Sequence, residues 1–312
     1  MKYRKLGKTG LSVSNLSFGA SSFGSVFRDI NEQEAMRTVH TAIDQGINYI
    51  DVSPYYGLTK AERVLGGAIK EIPRDSYYLS TKAGRLGVEE FNFSKKHIKR
   101  SLEDSLKRLN TDYVDIFLLH DIEFGSYQQV MEEGIAALEE LKQEGKTRYI
   151  GVSGLPLIIF EKVLSKAELD VIMTYCHYSL NDTSLLSYIP LLEKRQVGII
   201  NASPISMGLL NTRPVADWHL ASKEIQETCK RAARFCEEQG TDLAELAIQF
   251  SVQNEKIPTT LVSTASEKNI LKNISYTEKP INQELLEEVL NILAPIHNKS
   301  WPSGTKEWNE EW

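Results

Sequence analysis

The stretch GINYIDVSPYYG, residues 46–57, begins as a strand and ends as a turn. Its first half, INYID, is short, β-branched and aromatic, the composition of a buried strand. Its second half sets Asp51 and the adjacent Tyr55 and Tyr56 around a proline that interrupts extended structure. A strand that hands polar groups to the turn after it is what a parallel barrel does, because barrel sites lie at the C-terminal strand ends. Whether the whole chain repeats this pattern decides the fold.

Seven further runs do. LSFGA (16–20), YYLST (77–81), YVDIFLLH (113–120), RYIGVS (148–153), DVIMTY (170–175), VGIINAS (197–203) and TTLVST (259–264) alternate with amphipathic segments of helical period. Among the latter, 31–46, 94–110 and 126–145 carry Asn31, Ser94 and Ser126 as expected N-caps and Gly46 and Gly145 as stops. Eight β/α units in 312 residues predict an α/β fold, a closed (β/α)8 TIM barrel, as one domain over 1–312. YRKLGKTGLSVS adds an expected N-terminal β-hairpin around Lys8-Thr9-Gly10. The tail from about 297 to 312 is atypical, with Trp301, Trp308 and Trp312 among polar residues.

Composition excludes several classes. A net charge of -6, with no basic stripe, argues against nucleic acid and anionic membrane as partners, and leaves a small solute. No apolar run is long enough to span a bilayer, and MKYRKLGKTG has no leader-like apolar core, so a cytoplasmic protein is expected, monomeric or a small homo-oligomer. Cys176, Cys229 and Cys236 do not make a disulfide framework, and the last two read as helix-packing residues. A metal-dependent hydrolase on such a barrel would need clustered histidines, and the six here form no H-x-H pair, so no metal is expected.

Applied to the strand ends, the barrel rule selects Asp51, Lys82 in LSTKAG, His120 in FLLHD and Ser153 in GVSG. Each alone has an ordinary structural reading. Together with a tyrosine they form a proton-transfer set: an ammonium favours a phenolate, a carboxylate holds the ammonium, and an imidazole meets a substrate oxygen.

These residues resemble the catalytic tetrad of the aldo-keto reductases. The likeness rests on D-x-x-x-x-Y-G at 51–57, Lys82 and His120, with the flanks LGxTGLxVS, AERVLGGAI and GVSG. It implies Tyr56 as the acid/base, with Asp51, Lys82 and His120 beside it, and Tyr55 as a pocket residue. It also implies a nicotinamide cofactor, although GASSFG (19–24) lacks the dinucleotide-binding glycine pattern of open α/β sheets. The segments NASPISMGLL (201–210) and STASEKNILKN (263–273) look like the family's nucleotide-binding loops. By that likeness Ser153, Thr174, Ser203, Ile205, Met207, Leu209, Ser263, Thr264, Asn269 and Asn273 would contact the cofactor. Members that prefer NADPH place a lysine and an arginine where Ser263 and Asn269 stand, so NAD is expected rather than NADP, with Lys268 one position away. Gly154 and Ala202 depart from the family's usual asparagine and stacking aromatic.

GLPL after GVSG, TYCHYSLNDTSL (174–185) and SWPSG (300–304) resemble the branch that oxidises aldoses such as L-galactose, L-fucose or D-arabinose at C1 to lactones. That likeness makes Tyr55, Asp121, Glu123 and Phe124 candidate substrate residues, and Tyr175, Tyr178 or a tail tryptophan candidate stacking groups. Two alternatives share the motifs: a reductase of aldehydes or ketones, and a cofactor-sensing regulatory subunit like the β subunits of potassium channels.

Overall fold

The structure, a computed structural model, describes residues 1–26 and 28–309. Two short strands, β1 (Tyr3–Lys5) and β2 (Ser12–Ser14), pair antiparallel through Tyr3↔Ser14 and Lys5↔Ser12. Eight parallel strands then close a barrel in the order β10-β3-β4-β5-β6-β7-β8-β9. They are β3 (Leu16–Gly19), β4 (Tyr49–Asp51), β5 (Tyr78–Ala83), β6 (Val114–Leu119), β7 (Thr147–Gly154), β8 (Val171–Tyr175), β9 (Gly198–Ala202) and β10 (Thr259–Ser263). All eight fall on the runs read from the sequence.

The helices α1 (Glu32–Asp44), α2 (Lys60–Ile69), α3 (Lys95–Leu109), α4 (Tyr127–Gln129), α5 (Ile135–Gln143), α6 (Ile158–Leu164), α7 (Ile189–Lys194), α8 (Lys223–Glu238), α9 (Leu243–Gln253), α10 (Glu267–Glu278) and α11 (Gln283–Leu293) surround it. The Asn31 side chain accepts from the Glu34 amide and Ser126 from Gln129, as N-caps do. Ser94 holds the cap position but makes no such bond. The Lys95 amide instead donates to Glu133 Oε2 of the neighbouring helix at 3.2 Å. The segment 126–145, expected as one helix, is widened by a π turn at Val130–Gly134. A side chain on Gly134 would meet Leu119 of β6, so the chain passes close to the barrel there.

Two apolar layers sit inside and outside the strands. The inner one joins Tyr49, Ile116, Leu118, Val171, Met173, Ile200 and Leu261 to Leu6, Leu11 and Val13 of the hairpin. The hairpin therefore plugs the N-terminal end of the barrel, and Leu6 lies so close to Gly198 that no side chain fits there. Phe18, Ile50, Phe117, Ile172 and Val262 pack outward against helices. Cys229 and Cys236 are buried with α8 and α11, their thiols pushed up to about 12 and about 11 by burial. Among the described residues no helix is long and apolar enough to cross a membrane.

The tail is integral to the wall. Trp308 is fully buried, donates from Nε1 to Gly125 O at 2.7 Å and packs edge-on against Tyr127. Trp301 is buried beside His219. Neither offers a free face for a sugar, which corrects the expectation of a stacking tail tryptophan; Trp312 lies outside the described residues.

Candidate functional site

The open C-terminal end of the barrel gathers the four strand-end groups. Asp51 ends β4 and Lys82 sits near the end of β5, and the register Asp51↔Ser80 brings them together. Lys82 Nζ lies 2.5 Å from Asp51 Oδ2, 3.1 Å from Val52 O and 3.2 Å from the Tyr56 hydroxyl. Ser80 donates to the other Asp51 oxygen at 2.7 Å. Lys82 and Asp51 are almost inaccessible to solvent. A buried ammonium holds its charge only with such partners: burial pulls Lys82 down, and Asp51 with Tyr56 more than reverses it. Burial pushes Asp51 up despite the attraction of Lys82.

Tyr56 differs from the sequence expectation in one respect. Lys82 does favour its phenolate, but burial outweighs it and Asp51 and Asp121 add repulsion, so the phenol is raised rather than lowered. The sequence displays the cation, whereas burial exists only in the fold. Gly57 explains part of that burial: at φ +62° it packs against Gly24, and a side chain on either would collide with the other's backbone.

His120 follows β6. Burial, then the charges of Lys82 and Arg85, hold its imidazole well below its usual range, so it is neutral. Its Nδ1 lies 2.9 Å from Ser53 Oγ, which also accepts the Tyr55 amide, and its Nε2 lies 3.7 Å from Asp121 Oδ2. The carboxylate oxygen facing Nε2 favours the proton there, leaving Nδ1 to accept from Ser53. Rings of Tyr55 and Tyr56 stand edge-on to the imidazole at 5.8 Å and 5.6 Å.

Three of the candidate substrate residues frame this centre, and a fourth lies behind it. Asp121, at φ +52°, is paired with Arg85 Nη1 at 2.5 Å, and Arg85 Nη2 donates to the Tyr55 hydroxyl at 3.0 Å. Phe124 stacks on Phe91 at 4.9 Å. Glu123 is fully buried, with Oε1 accepting from the Leu155 amide at 2.9 Å and the Ser303 hydroxyl at 3.0 Å. Burial and the charge of Asp121 push its carboxyl up to about 8. It braces the wall and does not reach the mouth. Its Oε2 also fills the space a side chain on residue 154 would occupy, which is why Gly154 stands there.

The model of the Aldo/keto reductase family matches residues 15–294. The chain belongs to that family. It is 45% identical to L-galactose dehydrogenase of Arabidopsis thaliana over 97% of this chain and 98% of the relative. It is 33% identical to D-arabinose 1-dehydrogenase of Saccharomyces cerevisiae over 94% of each. Among solved structures, the holo form of aldo-keto reductase AKR11C1 from Bacillus halodurans superposes with a TM-score of 0.78 at 30% identity, covering 94% and 96%. As an aldo/keto reductase the protein is an oxidoreductase acting on CH–OH groups with a nicotinamide cofactor.

The residues at the far side of the mouth fit such a cofactor. Helix α10 starts at the barrel rim with no side-chain cap from Ser266, which leaves first-turn amides for an anionic group. Asn269 and Asn273 are half-buried on that helix. Thr264 Oγ1 accepts the Ser266 amide, and Ser263 Oγ is held by Ser21 and Ser22 at 2.8–2.9 Å, so neither carries charge toward the rim. The loop after β9 turns through positive φ at Ser203, Ser206 and Met207, with Ile205 and Met207 partly buried and Leu209 buried beneath. Ser153 lies in the mouth and accepts the Asp121 amide. Thr174 is the exception. Val171 and Met173 face the barrel interior, so alternation turns Thr174 outward with Ile172 and points Tyr175 inward. The charges of Asp121, Glu123 and Arg85 act on the Tyr175 phenol, as its inward direction requires.

Sequence reasoning missed Arg85 and Ser53. Each lies two or three residues beyond a strand-end group, Asp51 or Lys82, where a rule for strand ends could have been extended into the loop.

Proposed function

We propose that the protein oxidises the C1 hemiacetal of a neutral aldose, of the L-galactose, L-fucose or D-arabinose type, to the aldonolactone with NAD. The observation that carries this is the chain of contacts from Asp51 through Lys82 to the Tyr56 hydroxyl, set beside the neutral His120 at the one open end of the barrel. The names of the relatives matched over nearly the whole chain supply the aldose class.

In this reading the C1–H bond breaks with its electron pair, the C1 hydroxyl gives up its proton, and C1–O becomes the lactone carbonyl. When bound, an oxidised nicotinamide supplies the hydride acceptor. Tyr56 receives the hydroxyl proton; Lys82 stabilises the charge that Tyr56 carries beforehand, and Asp51 holds Lys82 in place. His120 donates from Nε2 to the reacting oxygen and orients it. Ser153, Ser203, Ile205, Met207, Leu209, Ser263, Thr264, Asn269 and Asn273 would hold the cofactor, with Tyr175 rather than Thr174 at the inner face.

The choice of NAD rests on charge. Ser263 and Asn269 are uncharged, Lys272 is committed to Asp242 at 2.9 Å, and exposed Lys268 is a single cation for a dianionic 2'-phosphate. The test offers purified protein NAD or NADP with a panel of aldoses and follows the absorbance of the reduced nicotinamide. Turnover of an aldose with NAD and lactone as product is expected. Preference for NADP overturns the cofactor assignment, and reduction of simple aldehydes without aldose oxidation overturns the reaction.

A further inference from the structure

Arg85 and its partner Asp121 are charged side chains at the mouth that the relay from Asp51 to Tyr56 does not use. The Arg85 guanidinium carries five N–H donors. One goes from Nη1 to Asp121 Oδ2 at 2.5 Å, one from Nη2 to the Tyr55 hydroxyl at 3.0 Å, and Nε reaches Gly87 O at 3.3 Å. One N–H on each terminal nitrogen remains. The group lies 3.9 Å over the Tyr55 ring and 5.5 Å and 5.8 Å from the stacked Phe91 and Phe124 rings, and it keeps 17% of its side-chain surface exposed. Three aromatic rings and one ion pair therefore fix its plane, with an edge left open.

Its place relative to the reacting centre follows from Asp121. The carboxylate oxygen that binds Arg85 is also 3.7 Å from His120 Nε2. Arg85 thus lies one group away from the imidazole that meets the reacting oxygen. In a sugar whose C1 oxygen meets His120, the next oxygens are the C2 hydroxyl and the ring oxygen, and these are the candidates for Arg85 and Tyr55. Arg85 can only donate, while the Tyr55 hydroxyl, having accepted from Arg85, still has its own proton to give. Both therefore donate, and the oxygen they meet must accept twice; a sugar hydroxyl does so, and is a better acceptor than the ring ether oxygen, whose lone pairs delocalise toward the anomeric carbon. Asp121 meanwhile neutralises the guanidinium, so the subsite has no net charge with which to favour an acidic or phosphorylated group.

We propose that Arg85, with Tyr55 beside it and Asp121 behind it, is a specificity subsite that reads the C2 hydroxyl of a neutral aldose. This rests on the aldose reading above and adds which hydroxyl is read and by what.

The experiment compares an accepted aldose with its 2-deoxy and 6-deoxy analogues, on wild type and on Arg85→Gln, recording kcat and KM separately. A hydrogen bond to a charged donor corresponds to roughly 10- to 100-fold. Wild type should lose about that factor in kcat/KM on the 2-deoxy analogue and little on the 6-deoxy one. Arg85→Gln should lose a similar factor on the parent sugar, chiefly through KM, and then discriminate the 2-deoxy analogue less than about threefold, the two losses being one interaction. Cofactor affinity, followed by quenching of tryptophan fluorescence, should stay the same. Equal turnover of parent and 2-deoxy sugar by wild type overturns the subsite while leaving aldose oxidation intact, and this comparison needs no variant to fold. Undiminished discrimination in a folded Arg85→Gln also overturns it. Failure of wild type to oxidise any aldose removes both readings together.

Discussion

Replacing Glu123 with glutamine should stabilise the protein at alkaline pH and change little in acid. Glu123 is fully buried, Oε1 accepts two hydrogen bonds, and Oε2 has no partner. With its carboxyl pushed up to about 8 from an ordinary 4.5, the folded protein keeps a proton that the unfolded chain releases. The unfolded state then binds fewer protons, so stability falls as pH rises. The contribution of the neutral carboxyl is whole below pH 4.5 and lost progressively up to pH 8. At about 1.4 kcal/mol per pH unit the ceiling is roughly 5 kcal/mol. Glutamine keeps the Oε1 acceptor and presents an uncharged amide in place of the acid. Glu123→Gln should match wild type near pH 5 and exceed it near pH 8.5 by several degrees in Tm, given about 2–4 °C per kcal/mol for a chain of this size. Differential scanning calorimetry at both pH values makes the comparison. Parallel pH dependence in the two proteins would falsify the assignment of a neutral buried carboxyl.

Three further outcomes follow from the site. Tyr56→Phe should lower kcat by about 10²- to 10⁴-fold with NAD affinity kept, whereas Tyr55→Phe should raise KM by about tenfold or less; equal near-complete losses in kcat would mean the two rings have been assigned wrongly. Because burial raises the Tyr56 phenol and His120 stays neutral, log kcat/KM for oxidation should climb with pH through the range from about 7 to 9, as the proton-accepting form becomes commoner. A plateau set by a group near the ordinary histidine value would point to the imidazole as base. Asn269→Arg should improve NADP binding relative to NAD by at least about tenfold, measured by calorimetric titration, since it adds a charge-assisted contact at the α10 terminus; no change would remove that helix from 2'-phosphate recognition.

The eight strands were legible because each joins a β-branched run to a polar end, and a closed barrel forces that pattern on every unit. Asp51, Lys82, His120 and Tyr56 were legible for the same reason, with the register Asp51↔Ser80 doing in space what the spacing suggested along the chain. What escaped depends on packing. Thr174 and Tyr175 are adjacent in sequence, and only the alternation of β8 decides which enters the mouth. The direction of the Tyr56 shift depends on how much water the fold excludes, and the π turn at Val130–Gly134 depends on how near Gly134 comes to Leu119. Arg85 carried no signal of its own until Asp121 and Tyr55 converged on it.

The closure of the tail over Glu123 also sets an order of assembly during synthesis. Strands and helices up to α10 can find their neighbours as the chain emerges, N-terminal parts first. Ser303, whose hydroxyl reaches Glu123, and Trp308, which fills the site beside Tyr127 and Gly125, arrive after every barrel strand. The relay from Asp51 to Tyr56 thus draws only on early strands, whereas the wall around Glu123 is completed by residues that follow all eight.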